Sequence, residues 1–308
     1  MVNFGSFDYV CRTLSLTWCP LVGTDQNART IPQCYSRNVS FGDFLVFQPG
    51  ALAMYIVALI MASVMLHHIR TKYTAVGRKE MVTFFWFYIV TVVLEMFLIV
   101  GVIPIDSPAY RWFTAIHVGM ISTTIWCLLL NGFVGFQFAE DGTRWSLWTM
   151  RISSFIVWLT VFFIAILTFN DTGSVLSVKS PILLWIVYFL FNGAGIVIYF
   201  LMQVILVKTL SDKWPLGDII LALISFVVGQ VLMLGFSANI CSLAVHYIDG
   251  LFCAVLLTLF AIMMVYKYWD SITRDDLEYT VDCLPNRWEI KKGGTIRDDN
   301  IEIRYLSQ

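Results

Sequence analysis

The sequence predicts an all-α fold, a polytopic membrane protein built as a seven-transmembrane-helix bundle with a lumenal N-terminus and a cytosolic C-terminus. Three observations predict it. Hydrophobic residues make up 58% of the chain and charged residues 13%, whereas a soluble domain carries about 45–50% and about 25%. Seven long apolar segments recur along the sequence. The basic residues between those segments fall mostly on one side.

A helix needs about 20 predominantly apolar residues to cross the hydrocarbon core. The segments run Phe44–Leu66, Met81–Ile103, Trp112–Phe138, Ile152–Phe169, Pro181–Val207, Ile219–Ala238 and His246–Tyr268. The only formal charge in the second is Glu95; the seventh holds Asp249 near its start and Lys267 at its end (His246 being neutral). One or two such segments fit a buried soluble core; seven require lipid. Helices are the expected spanning element, because their backbone hydrogen bonds close within the segment, and the segments are too long for the alternating strands of a barrel. The domain plan is a lumenal segment at 1–43, a membrane domain at 44–268 and a cytosolic tail at 269–308.

Orientation follows from Lys and Arg. Arg70, Lys72, Arg78 and Lys79 lie in the first loop, Arg144 and Arg151 after the third segment, and Lys208 and Lys213 after the fifth. With the tail counted from Lys267, 15 of the 20 basic residues share one side, and basic loops stay cytoplasmic. The N-terminal segment agrees. Cys11, Cys19 and Cys34 precede the first span and suit an oxidising lumen, as does the Asn38-Val39-Ser40 glycosylation triplet. Three cysteines allow one disulfide with one residue left over; Cys19–Cys34 is slightly preferred to Cys11–Cys34. The first residues lack a basic region followed by an apolar one, so no cleavable leader is expected.

Enzyme chemistry is poorly supplied. His67 and His68 are adjacent at the mouth of a span and read as interfacial. His246 and Asp249 are three apart and read as a polar contact or a helix start. No metalloprotease helix, nucleophile elbow or phosphate-binding loop occurs, and no cofactor is expected. A formal net charge of -1 gives no electrostatic case for nucleic acid, and the polar residues mark no small-molecule track. Glu95 is the exception, since a carboxylate at that depth is costly and should face protein or a wet cavity. It can pair with His117 or Asn131, meet a partner protein, or carry an ion or proton. The generic topology leaves a seven-helix receptor or transporter open.

The cytosolic pieces carry a second signal. Loop one, with Arg70, Lys72, Tyr73, Arg78 and Lys79, is basic. The start of the tail holds Trp269, Asp270, Asp275, Asp276 and Glu278 and is acidic. The two can dock on each other or jointly on a partner, with Tyr73 and Trp269 supplying contact area.

Six stretches carry a resemblance: PQCYSRN at 32–38, IRTKYTAVGRKE at 69–80, NGFVGFQFAEDGT at 131–143, VVGQVLMLGFSANIC at 227–241, HYIDGLFCAVL at 246–256 and MMVYKYWDSITRDDLEY at 263–279. In their order and placement against seven spans, the sequence resembles the fungal chitin synthase export chaperones up to about Tyr279. The resemblance implies a non-enzymatic, client-specific chaperone of the endoplasmic reticulum membrane. Its partners would be a membrane-embedded chitin synthase, helped to fold and to leave the reticulum, and the surrounding lipids. Travel with the client to the plasma membrane, in support of cell-wall chitin synthesis, belongs to the same expectation.

Overall fold

A computed structural model describes residues 5–14, 16–22, 34, 36–41, 44–72, 75–136, 143–172, 177–178, 181–209 and 213–282, with backbone alone at 41, 44–45 and 274–282. Seven of its helices are long and apolar enough to cross a membrane: Pro49–Thr71, Arg78–Val100, Pro108–Val134, Arg144–Phe169, Ile182–Thr209, Pro215–Leu243 and the apolar stretch Gly250–Thr273. They are called the first to seventh spanning helices below. The loops between them alternate between two ends, the N-terminal face, which carries the described residues between 5 and 41, and the opposite face.

Local chemistry sets the helix ends. Pro49, Pro108 and Pro215 open three helices in their first turn, where a missing N–H costs nothing. Ser107 and Thr143 cap the third and fourth, accepting from Tyr110 N and Ser146 N, each at 3.3 Å. Gly77, at φ +66°, turns the chain into the second, a conformation that favours glycine.

Several boundaries differ from those read in the sequence, the fourth helix starting at Arg144 rather than Ile152. Phe44–Val46 is not helical; it pairs antiparallel with Val39–Phe41 in a two-stranded hairpin, and helix begins only at Pro49. The sixth helix runs on to Leu243, so the seventh starts at Gly250 rather than His246. The seventh helix continues to Asp282, because neither proline nor glycine interrupts the chain between Gly250 and Pro285.

Six spanning helices close a ring. The first packs on the second, the second on the third, the third on the fifth, the fifth on the sixth, the sixth on the seventh and the seventh on the first. The fourth lies outside, against the third. Sixth and seventh form the most extensive pair, and small residues explain it. A Cβ on Gly250 would stand 2.6 Å from the Ser237 Cβ, and one on Gly229 3.1 Å from the Leu257 Cβ. Such close backbone approach is how helices associate without a hydrophobic driving force. The fifth and sixth touch much less.

The described residues 5–22 of the N-terminal segment are largely buried. A short helix, Asp8–Thr13, and the turn after it pack onto the ring. Phe7, Leu14, Trp18 and Val22 are buried. Trp18 sits 4.3 Å from Phe7 and 5.2 Å from Tyr188 between ring centroids.

Candidate functional site

The polar and covalent groups of the described residues gather in three places. The first is the N-terminal face. Cys11 is bonded to Cys19, and Cys34 to Cys241, with Cα–Cα distances of 5.4 and 6.0 Å. These pairs correct the expected Cys19–Cys34 bond. The short helix and turn bring Cys11 back to Cys19, and Cys34 finds its partner at the end of the sixth helix. Counting only the cysteines ahead of the first span missed Cys241, whose placement just past an apolar run on the same predicted side was the available signal. His246 Nδ1 lies 3.3 Å from Cys34 Sγ. These three residues have metal-ligand spacing, but the disulfide occupies both sulfurs. Arg37 N donates to His246 O at 2.8 Å, and the Arg37 guanidinium lies over the Tyr247 ring. Asn38, next to Arg37, is exposed. Asp249 caps the seventh helix, accepting from Phe252 N at 3.0 Å, and burial raises its pKa above the usual carboxylate value.

The second place is the interior. Glu95 Oε2 lies 3.9 Å from His117 Nε2 on the third helix. His117 is fully buried and is reached from above by the N-terminal segment, Thr17 Oγ1 standing 3.4 Å from its Nδ1. Tyr110 Oη donates to Thr17 O at 2.6 Å. Asn131 is elsewhere; its Nδ2 donates to Cys127 O in its own helix. The second and third helices are antiparallel, so residues equidistant from their turn face each other. Asn131 is fourteen positions past His117, about 21 Å further along. Glu95 also lines a cavity of about 430 Å³ at the centre of the ring.

The third place is the opposite face. Lys72 pairs with Asp270, and its Nζ lies 5.9 Å from the centre of the Trp269 ring. Trp269 Nε1 donates to Val76 O at 3.0 Å. Loop one and the seventh helix therefore meet through these residues. Arg70 lies over Trp86, Arg78 donates to Arg70 O at 3.3 Å, and Lys79 is exposed. Tyr73 falls outside the described residues, as do the side chains of Asp275, Asp276 and Glu278. Two groups here escaped sequence reasoning. Glu80, which reads as a solvated loop charge, is fully buried and accepts from Ser146 Oγ at 3.2 Å. Asp218, also buried, accepts from Lys267 Nζ at 2.9 Å and ties the sixth helix to the seventh.

A family model described as chitin synthase export chaperone matches residues 3–283. The chain belongs to that family. A chitin synthase export chaperone of Cryptococcus neoformans var. neoformans is 47% identical over 290 residues, covering 94% of this chain and 80% of the relative. Those of Aspergillus fumigatus and Fusarium oxysporum f. sp. lycopersici are 43% and 44% identical over 94% and 95% of this chain and 89% of each relative. No solved structure matches. The family match thus spans both disulfides, the seven helices and the contact between loop one and the seventh helix. It gives this chitin synthase export chaperone family member the character of a multi-pass membrane protein.

Proposed function

We propose that the chain is a client-specific membrane chaperone that assists the folding of a chitin synthase and its exit from the endoplasmic reticulum. The observation that carries this reading is the family match across residues 3–283. The physical logic is that a multispanning client leaves polar groups and incomplete helix interfaces in lipid until its own helices pack. A compact bundle can cover them side by side. The cycle would run on binding alone, as part of cell-wall chitin synthesis and without enzymatic turnover. The N-terminal face is assigned to the lumen: the basic residues crowd the other face, and disulfides persist in an oxidising compartment. Association with the client as far as the plasma membrane extends the same proposal.

Two surfaces of this chain fit a client. One is the opposite face, where Lys79 and the loop-one contact with Trp269 and Asp270 present charge beside aromatic area. The other is the outer side of the fourth helix, where Trp148, Phe155 and Phe163 are exposed. The test is copurification of a chitin synthase with the full chain in mild detergent, with the tagged client followed in cells lacking the chain. Stoichiometric copurification and client retention in the reticulum are expected. A client that reaches the cell surface without the chain would defeat the proposal.

A further inference from the structure

The central cavity is built, not incidental. Its walls come from six spanning helices and from Leu16 of the N-terminal segment. Its volume of about 430 Å³ lies in the range of small-molecule sites, about 300–1,000 Å³. Apolar and aromatic side chains make most of the wall. The lining on the second helix runs from Phe84 to Glu95, eleven positions or about 16 Å along the axis. The space is therefore elongated, with Glu95 towards the N-terminal face and Phe84 and Phe200 towards the other.

Glu95 is the one formal charge among the described lining residues; the other polar groups along the cavity are hydroxyls and amides. The Glu95 side chain keeps 22% of its surface accessible although it is enclosed by the bundle, and that surface faces the cavity. No Lys or Arg lines the cavity among the described residues. Asn192, 4% exposed, has a buried Oδ1 with no hydrogen-bond partner. The fully buried Tyr55 hydroxyl stands beside Glu95 and is oriented to donate to it. A buried acceptor left unpaired, as Asn192 Oδ1 is, is costly, so it points to a donor that the described residues do not supply. Asn192 directly follows a π-helical turn, Ile186–Phe191, a distortion that occurs frequently at functional sites. That turn also carries Tyr188 and Phe189 into the wall.

We infer that the cavity binds one single-chain amphiphile with a protonated amine head. The amine donates to Glu95, a donor of the head group satisfies Asn192, and the chain lies towards Phe84 and Phe200. The tyrosine faces of Tyr55, Tyr88 and Tyr188 favour a cation over an anion at the head. This inference is independent of the client reading: it concerns the purified chain alone, and either can fail without the other.

The test uses the full chain in phosphatidylcholine nanodiscs, with radiolabelled sphingosine as the probe and oleate and oleyl alcohol as competitors. Saturable binding of about one probe per chain is expected, with oleate failing to compete and oleyl alcohol competing weakly. Glu95→Gln keeps the shape and removes the charge, and should weaken binding at least about tenfold, as expected for a lost charge-assisted bond. Tyr55→Phe and Asn192→Leu should weaken it less, and Thr258→Phe, which fills the cavity, should abolish it. Each variant is checked for monodispersity and for both disulfides, and Tyr55→Phe stands in if Glu95→Gln fails that check. Non-saturable binding, equal binding across the variants, or equal competition by oleate or oleyl alcohol would overturn the inference.

Discussion

The two ends of the bundle are held by different chemistry. At the N-terminal face, a packed aromatic segment and the Cys34–Cys241 disulfide join distant parts of the chain, the bond reaching across 207 positions, while Cys11–Cys19 closes a local loop. At the opposite face the same task falls to Lys72 with Asp270, Lys267 with Asp218, and Trp269 with the Val76 carbonyl. The lesson is one of conditions. Covalent links respond to reductant and ignore salt, whereas part-exposed ion pairs respond to salt and contribute only about 0–1 kcal/mol each. One end is suited to staying closed, the other to being opened by a competing partner.

The sharpest way to break this contrast is Cys241→Ser. Loss of a native disulfide costs about 2–5 kcal/mol, more for a longer closed loop. Thermal melting in detergent should therefore fall further for Cys241→Ser than for Cys11→Ser, whose bond spans only 8 positions. Equal or negligible shifts would remove the distinction between the two bonds and weaken that between the two ends.

The second expected effect is in the sixth–seventh helix contact. Gly250→Leu drives a side chain into Ser237 and should cost about 1–3 kcal/mol by overpacking. A melting point equal to the parent's would mean the helices can part there freely.

At the opposite face, Trp269→Ala should cost about 1 kcal/mol for the lost hydrogen bond. Lys72→Asp should cost less, and pairing it with Asp270→Lys should restore stability. Both charge effects should fade in high salt, while the Cys241→Ser effect should not. A charge effect independent of salt would contradict the assignment of this face as the soft one.

The smallest effect sharpens the N-terminal end. Burial raises the Asp249 pKa above its ordinary value, so the folded state holds that proton more tightly than the unfolded chain. The stability linked to it is complete below the ordinary carboxylate range and is lost as pH rises through the raised value. Asn can cap the same helix without a charge. Asp249→Asn should therefore melt above the parent at neutral pH, with the gap closing in acid. A gap that is constant with pH would place the cause elsewhere.

Much of this was legible in the sequence, and the exceptions have physical causes. Seven apolar segments report seven helices directly, since lipid allows few other ways to satisfy a backbone. Glu95 stood out because an intramembrane carboxylate is costly, and the register of antiparallel helices selects His117 over Asn131. Glu80 and Asp218 were hidden because a charge at a helix start looks solvated whether or not a neighbouring helix later covers it. Cys241 was hidden because its partner lies six helices away, and spacing in sequence carries no information about such closure. The strand Phe44–Val46 was hidden because a short apolar run beside a span reads as part of the span.

The Cys34–Cys241 bond also has a consequence in time. Residues 34 to 241 contain the first six spanning helices, and the bond cannot form until the ribosome has delivered the last of them. Cys34 must wait as a free thiol through almost the whole of synthesis, while Cys11 can find Cys19 within moments of both emerging. The closure of this one bond thus dates the assembly of the ring: a nascent chain that carries it has already placed its sixth helix beside its beginning.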